Sequence, residues 1–220
     1  MFKYNFQKDM KAFIETHFYS EVAKHMTNVN PTIVAGPAID RAIQVLTNTV
    51  APNGKATIVE IDPGIARLQA STVQRMSSTL TRDIALVTDD VQNDYVSRFM
   101  DIDLTRTLAS TKATFQSIIS QQRATYPNLS KAFIFTSSLR QMSKARTLAT
   151  LQTDILPLLG GSCDFTPFTP IEHPDLAKWK QATKFNAYCH ISKSASNLDM
   201  QLFSYNAGGG PMLTGLIIYT

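Results

Sequence analysis

The stretch Ile58-Val59-Glu60-Ile61-Asp62-Pro63-Gly64-Ile65-Ala66-Arg67-Leu68 decides how this chain is read. Thr57 to Ile61 is short, apolar and rich in β-branched residues, the composition of a strand covered on both faces. Pro63-Gly64 then forces a sharp turn, and Ile65, Leu68, Val73 and Met76 recur at helical spacing within Gly64 to Leu80. A strand that ends in an acid and passes through a glycine turn into a helix is where an open α/β sheet binds a nucleotide-like ligand. Glu60 and Asp62 are candidates to accept hydrogen bonds from ribose hydroxyls or an amino group. Gly64, lacking a Cβ, lets backbone amides come close to a ligand. The same residues also read as a hairpin, with Asp62-Pro63-Gly64 turning between Thr57 to Ile61 and a second strand Ile65 to Gln69.

The segment resembles the first motif of class I S-adenosylmethionine-dependent methyltransferases, particularly the rRNA adenine dimethyltransferase branch, in which a hydrophobic strand runs into Glu, Gly, Pro and Gly. The likeness extends upstream through Asn30-Pro31-Thr32-Ile33-Val34, a helix over Pro37 to Val50 and the turn Ala51-Pro52-Asn53-Gly54. Asp62 stands where the family has its first glycine, and Ala66 where it has its last. The resemblance implies S-adenosylmethionine as cofactor, held by Glu60, Asp62 and Gly64. It also implies that the next strand, Asp83 to Thr88, ends in the ribose-binding acid, at Asp89 or Asp90. Lys131 to Thr136 resembles the family's fourth motif strand. It ends in Thr136-Ser137-Ser138, where the family has a catalytic Asp or an Asn/Asp-Pro-Pro-Tyr loop, so no catalytic residue is assigned.

At 220 residues the chain can bury one sizeable core. The expectation is an N-terminal helical extension over residues 1–30, with an amphipathic helix Phe6 to His25, followed by one α/β domain over residues 31–220. No stretch is apolar enough to cross a membrane and charges run through the first thirty residues, so a soluble intracellular, cytoplasmic protein without membrane partners is expected. Cys163, Cys189 and the four histidines, His17, His25, His173 and His190, lack metal-ligand spacing, so no metal is expected. Charged residues make up 17% of the chain, against about 25% in an ordinary domain, and only four are glutamates. Such a surface suits a protein of an assembly, or one from a virus or phage acting in the host cytoplasm.

Charge is segregated along the chain. Asp83, Asp89, Asp90, Asp94, Asp101 and Asp103 face a single base, Arg98, whereas Leu104 to Thr153 carries seven bases and no acid. If Arg123, Lys131, Arg140, Lys144 and Arg146 converge on one face, a nucleic-acid backbone, RNA above all, is their natural partner. The alternative is that they solvate helices separately. Asp101-Ile102-Asp103-Leu104-Thr105 imitates the nucleophile loop of haloacid-dehalogenase-like phosphatases, but no acidic pair follows to hold magnesium. An Asp-rich helix start is the stronger reading there.

The remaining elements are expected as helices Tyr95 to Met100, Leu104 to Ala124, Leu139 to Leu159 and Pro174 to Ala182. Strands Phe185 to Ser192, Asp199 to Tyr205 and Leu213 to Tyr219 close the chain, with a Gly208 to Gly210 hairpin turn between the last two. The resulting fold class is α/β, a Rossmann-like methyltransferase sheet, mostly parallel with antiparallel C-terminal strands and helices on both faces. Two functions follow: a methyltransferase-like protein acting on or binding RNA, or a catalytically inactive RNA-binding or self-assembling structural subunit.

Overall fold

A computed structural model describes residues 6–26, 29, 32–35, 55–80, 84–91, 93, 95–140, 142–160, 183–193, 196–206 and 210–220. The expected helices Pro37 to Val50 and Pro174 to Ala182, and Cys163, lie outside them. Eight strands form one sheet: β1 (Thr32–Ala35), β2 (Ala56–Glu60), β3 (Ile84–Thr88), β4 (Phe99–Thr107), β5 (Lys131–Ser138), β6 (Thr183–Lys193), β7 (Ser196–Asn206) and β8 (Pro211–Tyr219). Their order is β3-β2-β1-β4-β5-β8-β7-β6. The first five are mutually parallel, and β8, β7 and β6 each run antiparallel to the strand before them in that order. The expected sheet, mostly parallel with antiparallel C-terminal strands, is the one observed.

Helix α1 (Phe6–His25) covers one face over β5, β7 and β8. Its Ile14, Phe18, Tyr19 and Val22 are fully buried and share a core with Val34, Phe99, Ile134, Phe203 and Leu216. Tyr19 donates its hydroxyl proton to the buried carboxylate of Asp101 at the middle of β4. Burial, then the charges of Asp101 and Glu15, push the Tyr19 hydroxyl well above its ordinary pKa, so it remains a proton donor. On the same face α2 (Pro63–Leu80) lays Val73 over Ala56, Ile58 and Ile84. The opposite face carries the larger core, where α3 (Lys112–Thr125) and α4 (Lys144–Thr150) meet the sheet. Phe115 stacks there on Phe133 and Phe135, with ring centroids 5.4 and 5.0 Å away.

Three expectations change. Residues 65–69 are helical, which removes the hairpin alternative. Tyr95 to Arg98 is irregular, and Phe99 to Thr107 is a strand rather than parts of two helices. Asp-Ile-Asp-Leu alternates with the period of a strand, and tertiary burial between β1 and β5 overrides the low strand preference of aspartate. The helix expected from Leu139 starts at Lys144, where Ser143 accepts the backbone proton of Arg146 as N-cap, and it passes through a π segment (Leu151–Ile155) and a 3-10 turn before stopping at left-handed Gly160.

Candidate functional site

Strand β1 alters the strand count and with it the site. Because β1 precedes β2 in the parallel half, the strand carrying Glu60 is second in the sheet, not first, and β3 is third rather than second. The direction of winding reverses between β1 and β4, and the crevice beyond the carboxyl ends of those two strands is where open α/β sheets bind ligands. In register, Ala35, the last residue of β1, lies beside Val59 of β2 and Ile102 of β4. Glu60 and Asp103 therefore each stand one residue past the end of β1, on either side of the gap it leaves. Strand alternation puts both on the face marked by Val34, because Ile58 and Asp101 are its register partners. Two strand spacings separate them, about 10 Å.

Glu60 is 5% exposed. Its Oε1 accepts the Asp62 amide at 2.9 Å, and its Oε2 is buried without a partner among the described residues. A buried carboxylate oxygen lacking a donor is costly unless a ligand supplies one. Ile61, the next residue, is 62% exposed, an apolar side chain at the rim of the crevice. Asp103 is half-buried, and beyond it the pairing of β4 with β5 shifts: Asp103 pairs with Thr136 and Thr107 with Ser138. Irregular pairing of this kind re-aims side chains beside binding sites.

The other acids named from sequence are engaged locally. Asp62 caps α2, its Oδ1 accepting the amides of Gly64 at 2.7 Å and Ile65 at 3.1 Å. Gly64 sits in the first turn of that helix, and a Cβ there would meet Asp62 Oδ1 at 3.0 Å. Asp89 organises the loop after β3. Its Oδ1 accepts from the Asp90 amide and Asn93 Nδ2, and its Oδ2 accepts from the Tyr95 hydroxyl at 3.0 Å. Those bonds, that of Asn93 foremost, hold its carboxyl below the ordinary pKa. The Asp89 amide in turn bonds to the Glu60 carbonyl at 3.1 Å, tying this loop to the end of β2. Asp90 is half-buried in the same loop.

The five bases do not converge. Arg140, Lys144 and Arg146 are exposed just past the carboxyl end of β5, the end of the sheet that holds the crevice. Lys131 begins β5 at the opposite end and is fully buried, donating to the carbonyls of Tyr126 and Leu129. Arg123 is beside it, bonded to the Leu158 carbonyl at 2.6 Å. The seven residue steps from Lys131 to Ser138 put roughly 23 Å between the two groups.

No family model and no curated protein matches the sequence. Solved structures do match in shape. An O-methyltransferase from Bacillus cereus in complex with SAH superposes at TM-score 0.55 and 10% identity, covering the whole of this chain and 93% of its own. Cofactor-bound Rv0187 from MTB gives 0.51 at 14% identity, over 94% of this chain and 78% of its own. A human methyltransferase 10 domain containing protein gives 0.50 at 11%, over 95% and 81%. The fold is that of the class I methyltransferases. In this chain the second strand of that sheet ends at Glu60. The sequence points to Glu60 on a strand that resembles the family's first but stands second in the sheet, and it gives no cofactor role to Asp103 or Ile61, which the structure sets beside the crevice. The period-two alternation of residues 101–107 was the available signal for Asp103.

Proposed function

We propose that this chain binds S-adenosylmethionine in the crevice between Glu60 and Asp103 and transfers its methyl group to RNA. The observation that carries the reading is the partnerless Oε2 of buried Glu60 at the carboxyl end of the second strand. A ribose diol supplies the donor that oxygen lacks. Ile61 offers an apolar surface for the adenine. Two carboxylates about 10 Å apart favour a cationic ligand and oppose the pyrophosphate of a dinucleotide. The cofactor, when bound, supplies an electrophilic methyl group. Asp103, on the far wall, is the carboxylate placed to orient the accepting group and take its proton.

RNA as the substrate rests on Arg140, Lys144 and Arg146 at the crevice end of the sheet. With the first-motif likeness on the second strand of the sheet, charge rather than the adenine dimethyltransferase branch supports RNA as the substrate. Calorimetry with S-adenosylmethionine, S-adenosylhomocysteine and ATP tests the first half. Saturable binding of the first two is expected, weakened at least about tenfold in Glu60→Gln, the size of one charge-assisted hydrogen bond. Replacing Arg140, Lys144 and Arg146 together by Gln should weaken RNA binding and flatten its salt dependence while leaving cofactor affinity unchanged. No cofactor binding at millimolar concentration would retire the enzymatic reading and leave a non-enzymatic subunit of the same fold.

A further inference from the structure

The amino end of the sheet, remote from the crevice, sets two cations over one aromatic ring and a third beside them. The ammonium of Lys131 lies 5.4 Å from the centroid of Tyr219, and the guanidinium carbon of Arg123 lies 5.7 Å from it. The Tyr219 hydroxyl donates to Gln122 Oε1 at 2.6 Å, and Gln122 in turn donates to the Ser97 carbonyl at 2.6 Å, so the ring is a fixed wall. Arg98 completes the group, its Nε donating to the Ser130 carbonyl at 3.1 Å, one residue before Lys131.

None of the three forms an ion pair among the described residues. Four backbone carbonyls, of Tyr126, Leu129, Ser130 and Leu158, take one or two donors from each cation. Both terminal nitrogens of Arg98, and Nε and Nη2 of Arg123, have no protein partner among those residues. Burial first, then the charges of Arg123 and Arg98, lower the Lys131 pKa, the response of an ammonium held near like charges with nothing negative opposite.

We infer that Arg98 and Arg123, backed by Lys131 on the Tyr219 ring, form a phosphate-binding site at the amino end of the sheet, separate from the cofactor crevice. Two guanidinium forks with free N–H groups suit a phosphate, which offers several terminal oxygens and a double charge to three clustered cations. The site goes beyond the methyl-transfer reading and does not depend on it. Its ligand is a phosphate group, either of a small phosphorylated compound or of an RNA backbone.

The test is titration of the full chain with inorganic pyrophosphate at constant ionic strength, read by calorimetry and by the NMR titration of Lys131. Saturable binding is expected, with the Lys131 pKa rising when pyrophosphate is bound. Arg98→Gln and Arg123→Gln should each weaken it several-fold, and the double variant roughly tenfold or more. Arg67→Gln with Arg75→Gln removes the same charge from α2 and should leave it unchanged. The single Arg98→Gln variant leaves the Arg123 bond to Leu158 intact, so a folded variant exists for the comparison. Displacement of pyrophosphate by single-stranded RNA would assign the site to a nucleic-acid backbone, and failure of RNA to compete would assign it to a small phosphate. Absence of saturation up to roughly 10 mM, or wild-type affinity in either folded arginine variant, would overturn the proposal.

Discussion

Glu60 and Asp62 lie two residues apart and do different work. The amide of Asp62 satisfies one oxygen of Glu60, while the Asp62 carboxylate turns away to cap α2. Asp before Pro at the first helical position is a helix-start signature, and the sequence showed it, but a Pro-Gly pair after a strand also suits a ligand-binding turn, and the residue types alone do not separate the two. The separation is measurable. Asp62→Ala should cost about 1 kcal/mol in urea denaturation, as other N-cap losses do, and keep S-adenosylmethionine affinity within about twofold. A large loss of cofactor affinity in Asp62→Ala would show that the carboxylate reaches the ligand after all. Asp89 makes a pH prediction with a defined sign. Its folded pKa lies below the ordinary 3.8, so its contribution is complete above that value and is lost as pH falls through the lowered one. Asp89→Asn should therefore flatten the acid limb of the stability curve below about pH 4, and an unchanged limb would remove Asp89 from the account.

Among the elements, those with strong apolar character were legible and those with mixed character were not. The ends of α1, Phe6 and His25, fall where the sequence places them, and β2, β3, β5, β7 and β8 do so to within a few residues. By contrast, β4 carries Asp101 and Asp103 in the middle of the sheet, an arrangement that long-range partners, Tyr19, Val34 and Ile134 among them, support. Local propensity knows nothing of a tyrosine 82 residues away. The strand count turns instead on β1, whose four residues Thr32–Ala35 lie ahead of β2 and make it the second strand of the sheet. A second long-range constraint sits on β8. Gly215 lies between Phe135 on β5 and Leu202 on β7, and a Cβ there would overlap the Phe135 ring and stand 2.9 Å from Leu202 Cδ2. Phe135 is itself stacked on Phe115 and Phe133, so the ring has no room to retreat. Gly215→Ala should destabilise the fold by about 2 kcal/mol or more, read as a lower urea midpoint at unchanged slope. A neutral effect would mean that this aromatic cluster is looser than its packing shows.

For the molecule as a whole, the run of bases splits between the two ends of the strands, with Arg140, Lys144 and Arg146 at the same end as the acids of the crevice and the others clustered at the opposite end. Glu60 and Asp103 stand at the carboxyl end, and Arg98, Arg123 and Lys131 at the amino end. The sequence displayed the runs, but a run of bases does not say which end of a strand each base occupies, and β5 carries Lys131 and Arg140 past opposite ends. The amino-end cluster has a thermodynamic consequence in alkali. Lys131 has a folded pKa below its ordinary 10.5, so its protonated form burdens the fold and the burden lifts as pH rises through the lowered value. Tyr19 and Tyr219 have the opposite sign. Burial raises both, and the stability they confer is complete below the ordinary 10.0 and is lost as pH climbs above it, because only the unfolded chain then ionises. Stability should accordingly rise from neutral pH into the alkaline range, pass a maximum near about pH 10 and fall beyond it. Urea midpoints measured across that range check the shape. Lys131→Met should remove the rise, and Tyr219→Phe should soften the fall. Bound pyrophosphate should also remove the rise, since an anion opposite Lys131 restores its pKa, so the two ends of one measurement report separately on the cation cluster and on the buried phenols.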